Sequence, residues 1–186
     1  MAYSQPIEPL HDKEAEQAVL GAMIIDKAVI PRVLPILGQT PEAFFTTDHQ
    51  LIYVATLAAY ERYGKADVLL IADELKKTDQ LKRAGGGVYL YDLQARIVET
   101  ESTEFYAQIV RDKSMRRRLI QASSAIREIA QDGERELDEV LDQSQEEIFR
   151  LSAVNTQRGF APIAPLIGES LRDIEELYHK KDKFVG

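Results

Sequence analysis

Two apolar stripes at helical spacing, joined by the polar link QDGERE, constrain this chain more than any other feature of its sequence. The first stripe runs Phe105, Ile109, Met115, Leu119, Ala122, Ile126 and Ile129, interrupted at Asp112 where the repeat calls for an apolar residue. Gly133 then breaks the chain, and Leu137, Leu141, Ser144, Ile148 and Leu151 follow at steps of four and three. Two long helices with so short a link must fold back on each other as an αα-hairpin. A second apolar row, Tyr106, Val110, Ile120, Val140 and Phe149, exceeds what one two-helix seam can cover. A lone hairpin with surplus apolar surface packs on another, so the chain is expected to self-associate. Candidate contacts are Tyr106, Val110, Leu119, Ile126, Leu137, Val140, Leu141, Ile148 and Phe149.

The preceding residues also read as helices. Asp12 is placed to cap a first helix with Glu14 and Glu16 in its first turn, where the dipole favours acids, and Ala15, Val19, Leu20, Met23 and Ile24 form its buried face. Gly21 inside that helix costs about 1 kcal/mol relative to Ala, which points to close packing there. Pro31 and Pro35 interrupt AVIPRVLPIL and predict a short or broken helix. Asp48 is expected to cap a helix ending at Gly64, and Asp67 to cap VLLIADELKK. Residues 78–84 read as a short extra turn, and the glycines 85–87 as the flexible entry to VYLYDLQARIV. Near the C-terminus, AVNTQRGFAPIAP reads as a linker. GESLRDIEELYHKKDKFVG is an amphipathic helix with Ile167, Leu171, Ile174, Leu177 and Tyr178 on one side. The fold class is therefore all-α: a globular helical head (1–98), a long hairpin (99–152), a linker (153–165), a detached linker helix (166–182) and the start of a connection (183–186).

Composition and chemistry exclude much. With 45% hydrophobic and 29% charged residues the chain is of soluble globular type. No run of 18 apolar residues occurs. The N-terminus has no basic region followed by an apolar core, so neither a membrane span nor a signal peptide is expected. Zero cysteines remove disulfide and thiolate chemistry. The three histidines, His11, His49 and His179, are far apart, and the His11-Asp12 dipeptide lacks the companions a metal phosphohydrolase needs, so no metal is expected. The carboxylates fall on polar helix faces with no sign of a pair held in a dry cleft. Ser123-Ser124 has no strand-to-helix elbow. GGGVYL has neither the Lys nor the Ser/Thr of a phosphate loop.

Charge is segregated. Arg111, Lys113, Arg116, Arg117 and Arg118 crowd one short piece, whereas residues 128–147 carry nine acids against one base, Arg135. The net charge of −8 disfavours general nucleic-acid binding. The basic run nevertheless leaves an alternative open: a helical nucleic-acid-binding module using Arg111 to Arg118.

EAEQAVLGAMIID (14–26) resembles the opening helix of the N-terminal domain of bacterial replicative DNA helicases, the DnaB family. The likeness continues in order through Phe44 in EAFFTTDHQLIY, then ADVLLIADELKK, GGGVYLYDL and FYAQIVRDKSMRRRLIQASSAIREIA, and ends in IAPLIGESLRDIEELYHKKDKFVG. It covers residues 9–186; the two prolines and the tripled glycine depart from the family pattern. The resemblance implies a non-catalytic scaffold that forms the N-terminal collar of a hexameric ring, as a dimer or trimer of dimers, and docks the C-terminal domain of primase. It implies a cytoplasmic protein of the bacterial replication fork. The linker helix would dock on a neighbouring subunit's RecA-like motor, which begins after a segment like KFVG. That motor would carry the ATP, Mg²⁺ and most of the DNA contacts of the parent helicase. The pattern GxxxxGK[ST] is absent, since Gly64-Lys65 is followed by Ala66, so this stretch is expected to hydrolyse no ATP and to hold no cofactor. By similarity, the primase contacts fall on Tyr89, Arg117, Ile120 and Ile126.

Overall fold

A computed structural model describes residues 10–97 and 99–156, and every regular element among them is helical. Helix α1 (Lys13–Ile25) starts where Asp12 accepts a hydrogen bond from the Ala15 amide at 2.9 Å. It lies at the centre of the head, with Val19, Leu20, Met23 and Ile24 buried and α2 (Val29–Leu37), α3 (Thr47–Tyr63), α5 (Gly86–Ala95) and α6 (Thr103–Gln131) around it. Gly21 makes the α5 contact possible. A Cβ there would stand 2.4 Å from the Leu93 carbonyl oxygen and 2.6 Å from Ile97 Cγ1.

Helix α2 is short but unbroken. Pro31 sits in its first turn, where an amide would have no intrahelical acceptor, so Pro35 alone removes a bond. Val29, Ile30, Val33 and Leu37 are buried, largely against α6. A 3₁₀ turn (Pro41–Ala43) leads to α3, whose N-cap is Thr46 rather than Asp48. Asp48 lies one turn-position inside and accepts from the His49 amide at 3.0 Å. Gly64, at φ 68°, closes α3 as the spacing predicts, and Asp67 caps α4 (Val68–Lys77) by accepting from the Leu70 amide at 3.0 Å. Residues 78–85 form a hydrogen-bonded turn, and Gly85 and Gly86, both at positive φ, open α5.

Helix α6 belongs to two neighbourhoods. Ala107, Val110 and Ser114 are buried with the head, where α6 meets α1 and α2, so the core extends past the boundary expected near residue 99. Beyond that point α6 pairs with α7 (Leu137–Thr156), which completes the predicted hairpin. Helix α7 continues past residue 152, because no glycine or proline interrupts it before Thr156. The rest of the expected linker and the apolar face of Ile167, Leu171, Ile174, Leu177 and Tyr178 lie outside the described residues.

Gly21→Ala tests the α1–α5 contact. The substitution gains about 1 kcal/mol of helix propensity but drives a methyl group into the Leu93 backbone. Overpacking of that kind costs ~1–3 kcal/mol, so the urea midpoint is expected to fall. A raised midpoint would mean that α5 moves away freely.

Candidate protein-interaction surface

One hydrogen-bonded chain crosses the head interior. The first turn of α1 turns Glu16 inward, leaving it 1% exposed, and the first turn of α3 sends His49, 0% exposed, towards it. His49 Nδ1 lies 2.5 Å from Glu16 Oε2, and His49 Nε2 lies 2.7 Å from the Tyr89 hydroxyl of α5. Gln17 Nε2 donates to that hydroxyl at 3.0 Å, and the Phe45 amide donates to Glu16 Oε1 at 2.8 Å. As placed, one donor order satisfies every member: Gln17 donates to Tyr89, Tyr89 donates to His49 Nε2, and His49 Nδ1–H and the Phe45 amide donate to Glu16. Burial pushes the Tyr89 hydroxyl above its ordinary value, so the proton it donates stays in place at neutral pH.

Arg117 ties α6 to the same region. Its guanidinium donates to the carbonyls of Leu10 (2.7 Å), Ala43 (2.8 Å) and Glu42 (3.2 Å) and lies over the Phe45 ring, 5.5 Å from its centroid. The His11 ring stacks on Phe45 at 4.4 Å. Burial lowers the pKa of Arg117, and the charge of Glu16 opposes that shift. A groove of about 440 Å³ opens beside this clamp between Phe44, Phe45, Gln50, Arg117, Arg118 and Gln121. The basic run is therefore not one solvated stripe: Arg116 is exposed, Arg111, Lys113 and Arg118 are half-buried, and Arg117 is engaged internally.

The outer hairpin is different in kind. On α7 the half-buried positions are Val140, Gln143, Ser144, Glu147 and Leu151, which make the seam towards α6. Leu137 (70% exposed), Leu141, Ile148 and Phe149 (71% exposed) stand outside it. Tyr106, Leu119 and Ile120 are exposed on α6, and Ile126 is half-buried. Val110 does not join this set: at 1% exposure it is spent in the chain's own core between α6 and the head helices. Of the four primase-contact candidates, only Ile120 is fully open. Tyr89 and Arg117 have their polar atoms committed inside the chain.

No local signal marks the pairing of Glu16 with His49. An acid in a first helical turn reads as a partner of the dipole, and 33 residues separate it from the imidazole. Among the described residues no three His, Asp or Glu side chains come together as a metal site, and no helix is long and apolar enough to cross a membrane.

The family model of the DnaB-like helicase N-terminal domain matches residues 8–112. The chain is similar to the replicative DNA helicase DnaB of Rhodothermus marinus, with 35% identity over 173 residues, covering 93% of this chain and 18% of that protein. Across the curated relatives it matches, it spans from 18% to 40% of their length. In three dimensions it is similar to the N-terminal domain of DnaB helicase from Mycobacterium tuberculosis, with TM-score 0.72 and 35% identity over 77% of this chain and 99% of that one. A DnaB-like replicative helicase, solved for its interactions with primase, shares the fold at TM-score 0.61 and 22% identity, over 85% of this chain and 34% of its own.

Replacing Arg117 by Lys keeps the charge but loses the planar fork that reaches three carbonyls at once. Denaturation is expected to show a loss of ~1–3 kcal/mol. An unchanged midpoint would mean that the clamp contributes nothing to the head.

Proposed function

The chain belongs to the DnaB-like helicase N-terminal domain family, and on that premise we propose that it is the non-catalytic scaffold of an ATP-dependent replicative DNA helicase. It associates with copies of itself to form the collar of a hexameric ring, as a dimer or trimer of dimers, and receives the C-terminal domain of primase. ATP, Mg²⁺ and the main DNA contacts belong to the motor of the parent protein, on which the helix bearing Ile167, Leu171, Ile174, Leu177 and Tyr178 docks in a neighbouring subunit. The observation that carries the reading is the exposed apolar row of the hairpin: Leu119 and Ile120 on α6, with Leu137, Leu141 and Phe149 on α7. A soluble chain that leaves so many large apolar side chains in water on one two-helix unit needs a protein partner for them.

A nucleic-acid-binding role for Arg111 to Arg118 has less support, because Arg117 is occupied by backbone carbonyls. Binding of single-stranded DNA with a steep salt dependence would favour that role.

Light scattering over a concentration series tests the self-association. The mass is expected to correspond to two or six copies, and Leu141→Asp to shift it towards one, since a buried unpaired charge costs several kcal/mol. A monomer at every concentration would remove the hairpin surface from the interface. Ile120 is the leading primase contact. Ile120→Ala is expected to weaken binding of the primase C-terminal domain roughly tenfold, about 1.4 kcal/mol, with the mass unchanged. Unaltered affinity would take Ile120 out of the contact.

A further inference from the structure

Two of the residues that similarity assigns to primase binding are half-buried and have their polar atoms engaged inside the chain. The Tyr89 hydroxyl is held by His49 and Gln17, and the Arg117 guanidinium by three carbonyls. Both engagements converge on Glu16. Through His49 it reaches Tyr89. Through the Phe45 amide it fixes the segment whose ring lies beneath Arg117 and whose carbonyls Arg117 grips. Helices α1, α3, α5 and α6 thus meet through one buried carboxylate.

We infer that Glu16 and His49 are positioning residues for partner binding, and that Tyr89 and Arg117 act through them by holding α5 and α6 in register instead of touching the partner. The inference rests on the proposed primase-docking role of this chain. Glu16 and His49 are 1% and 0% exposed, so neither can be a contact; any effect of replacing them on binding must be transmitted. The transmission has a defined route. Without the Tyr89 hydroxyl, His49 Nε2 and Gln17 Nε2 each lose a partner; Nδ1–H still donates to Glu16, but nothing holds the imidazole from the α5 side. An imidazole free to tilt carries the Glu16 carboxylate with it, which shifts the acceptor of the Phe45 amide and loosens the ring and carbonyls seating Arg117. Glu16→Gln can keep the chain intact with its donor direction reversed: the Gln amide donates to His49 Nδ1, His49 Nε2–H donates to Tyr89, and Tyr89 donates to the Gln17 oxygen. Glu16→Met has no donor or acceptor strong enough to do either.

The test combines binding with an internal readout on the 186-residue chain. Affinity for the primase C-terminal domain is titrated for the wild type, Tyr89→Phe, His49→Phe and the double variant, and exchange of the Phe45 amide is followed by nuclear magnetic resonance. Tyr89→Phe is expected to weaken binding roughly two- to tenfold, the range one buried hydrogen bond covers. The double variant should bind no more weakly than the His49→Phe single variant, and Phe45 exchange should accelerate in Tyr89→Phe. Glu16→Gln should restore binding to within about twofold of wild type where Glu16→Met does not. Losses that multiply in the double variant, with Phe45 exchange unchanged, would make Tyr89 a direct contact and overturn the inference. If the wild type binds no primase domain, the docking role falls. Phe45 exchange in Tyr89→Phe then decides separately: acceleration keeps the positioning network, and no change removes it. Should His49→Phe fail to fold, Glu16→Met takes its place: alone and combined with Tyr89→Phe it provides the same comparison.

Discussion

Glu16 keeps its carboxylate out of water at the centre of a helical head, and an unpaired charge there would cost several kcal/mol. The cost is offset only because the imidazole of His49 and the amide of Phe45 both point at it. Meeting that requirement fixes much else. The first turn of α3 must lie against the first turn of α1, the 3₁₀ turn must enter α3 at one angle, and α5 must bring Tyr89 to the far side of His49. Apolar packing alone would tolerate small slides of these helices. A polar chain whose members are all satisfied does not.

The head and the outer hairpin solve opposite problems. The head buries a contiguous apolar core and even a carboxylate and an imidazole, although Leu69 and Val88 stand in solvent. The outer hairpin has one two-helix seam, on which α7 places Val140, Ser144 and Leu151, and it leaves Leu137, Leu141 and Phe149 in solvent. The first has a core of its own. The second has only a seam, with large apolar side chains outside it on both helices, which is why the hairpin carries the self-association proposal.

Much of this was legible in the residue pattern, where signals were local. Asp12, Gly64 and Asp67 punctuate the helices as their chemistry dictates, and Gly21 marks the closest helix approach. The failures came where a tertiary choice overruled a local one. Thr46 took the cap expected of Asp48, whose carboxylate turned to the neighbouring His49 amide. Val110 reads as surplus because periodicity cannot say which neighbour covers a stripe; the head helices cover it. Along α7 the apolar residues spread over more than one face, so spacing alone could not tell the seam from the outer surface. Glu16 and His49 were invisible because each is an ordinary residue at an ordinary helical position, and only the fold brings them together.

Helix α6 spans 29 residues without a break, and it is anchored over only its first part. From Ser114 to Gln131 the rod extends roughly 25 Å beyond the head core. It works as a lever with its fulcrum at the Arg117 clamp. From Arg117 to Gln131 the arm is about 21 Å long, so a tilt of ten degrees swings the tip by about 3.7 Å, roughly two thirds of one helical turn. Adjustments too small to disturb the packing of the head are thereby magnified at the far end of the hairpin, where the exposed apolar side chains stand.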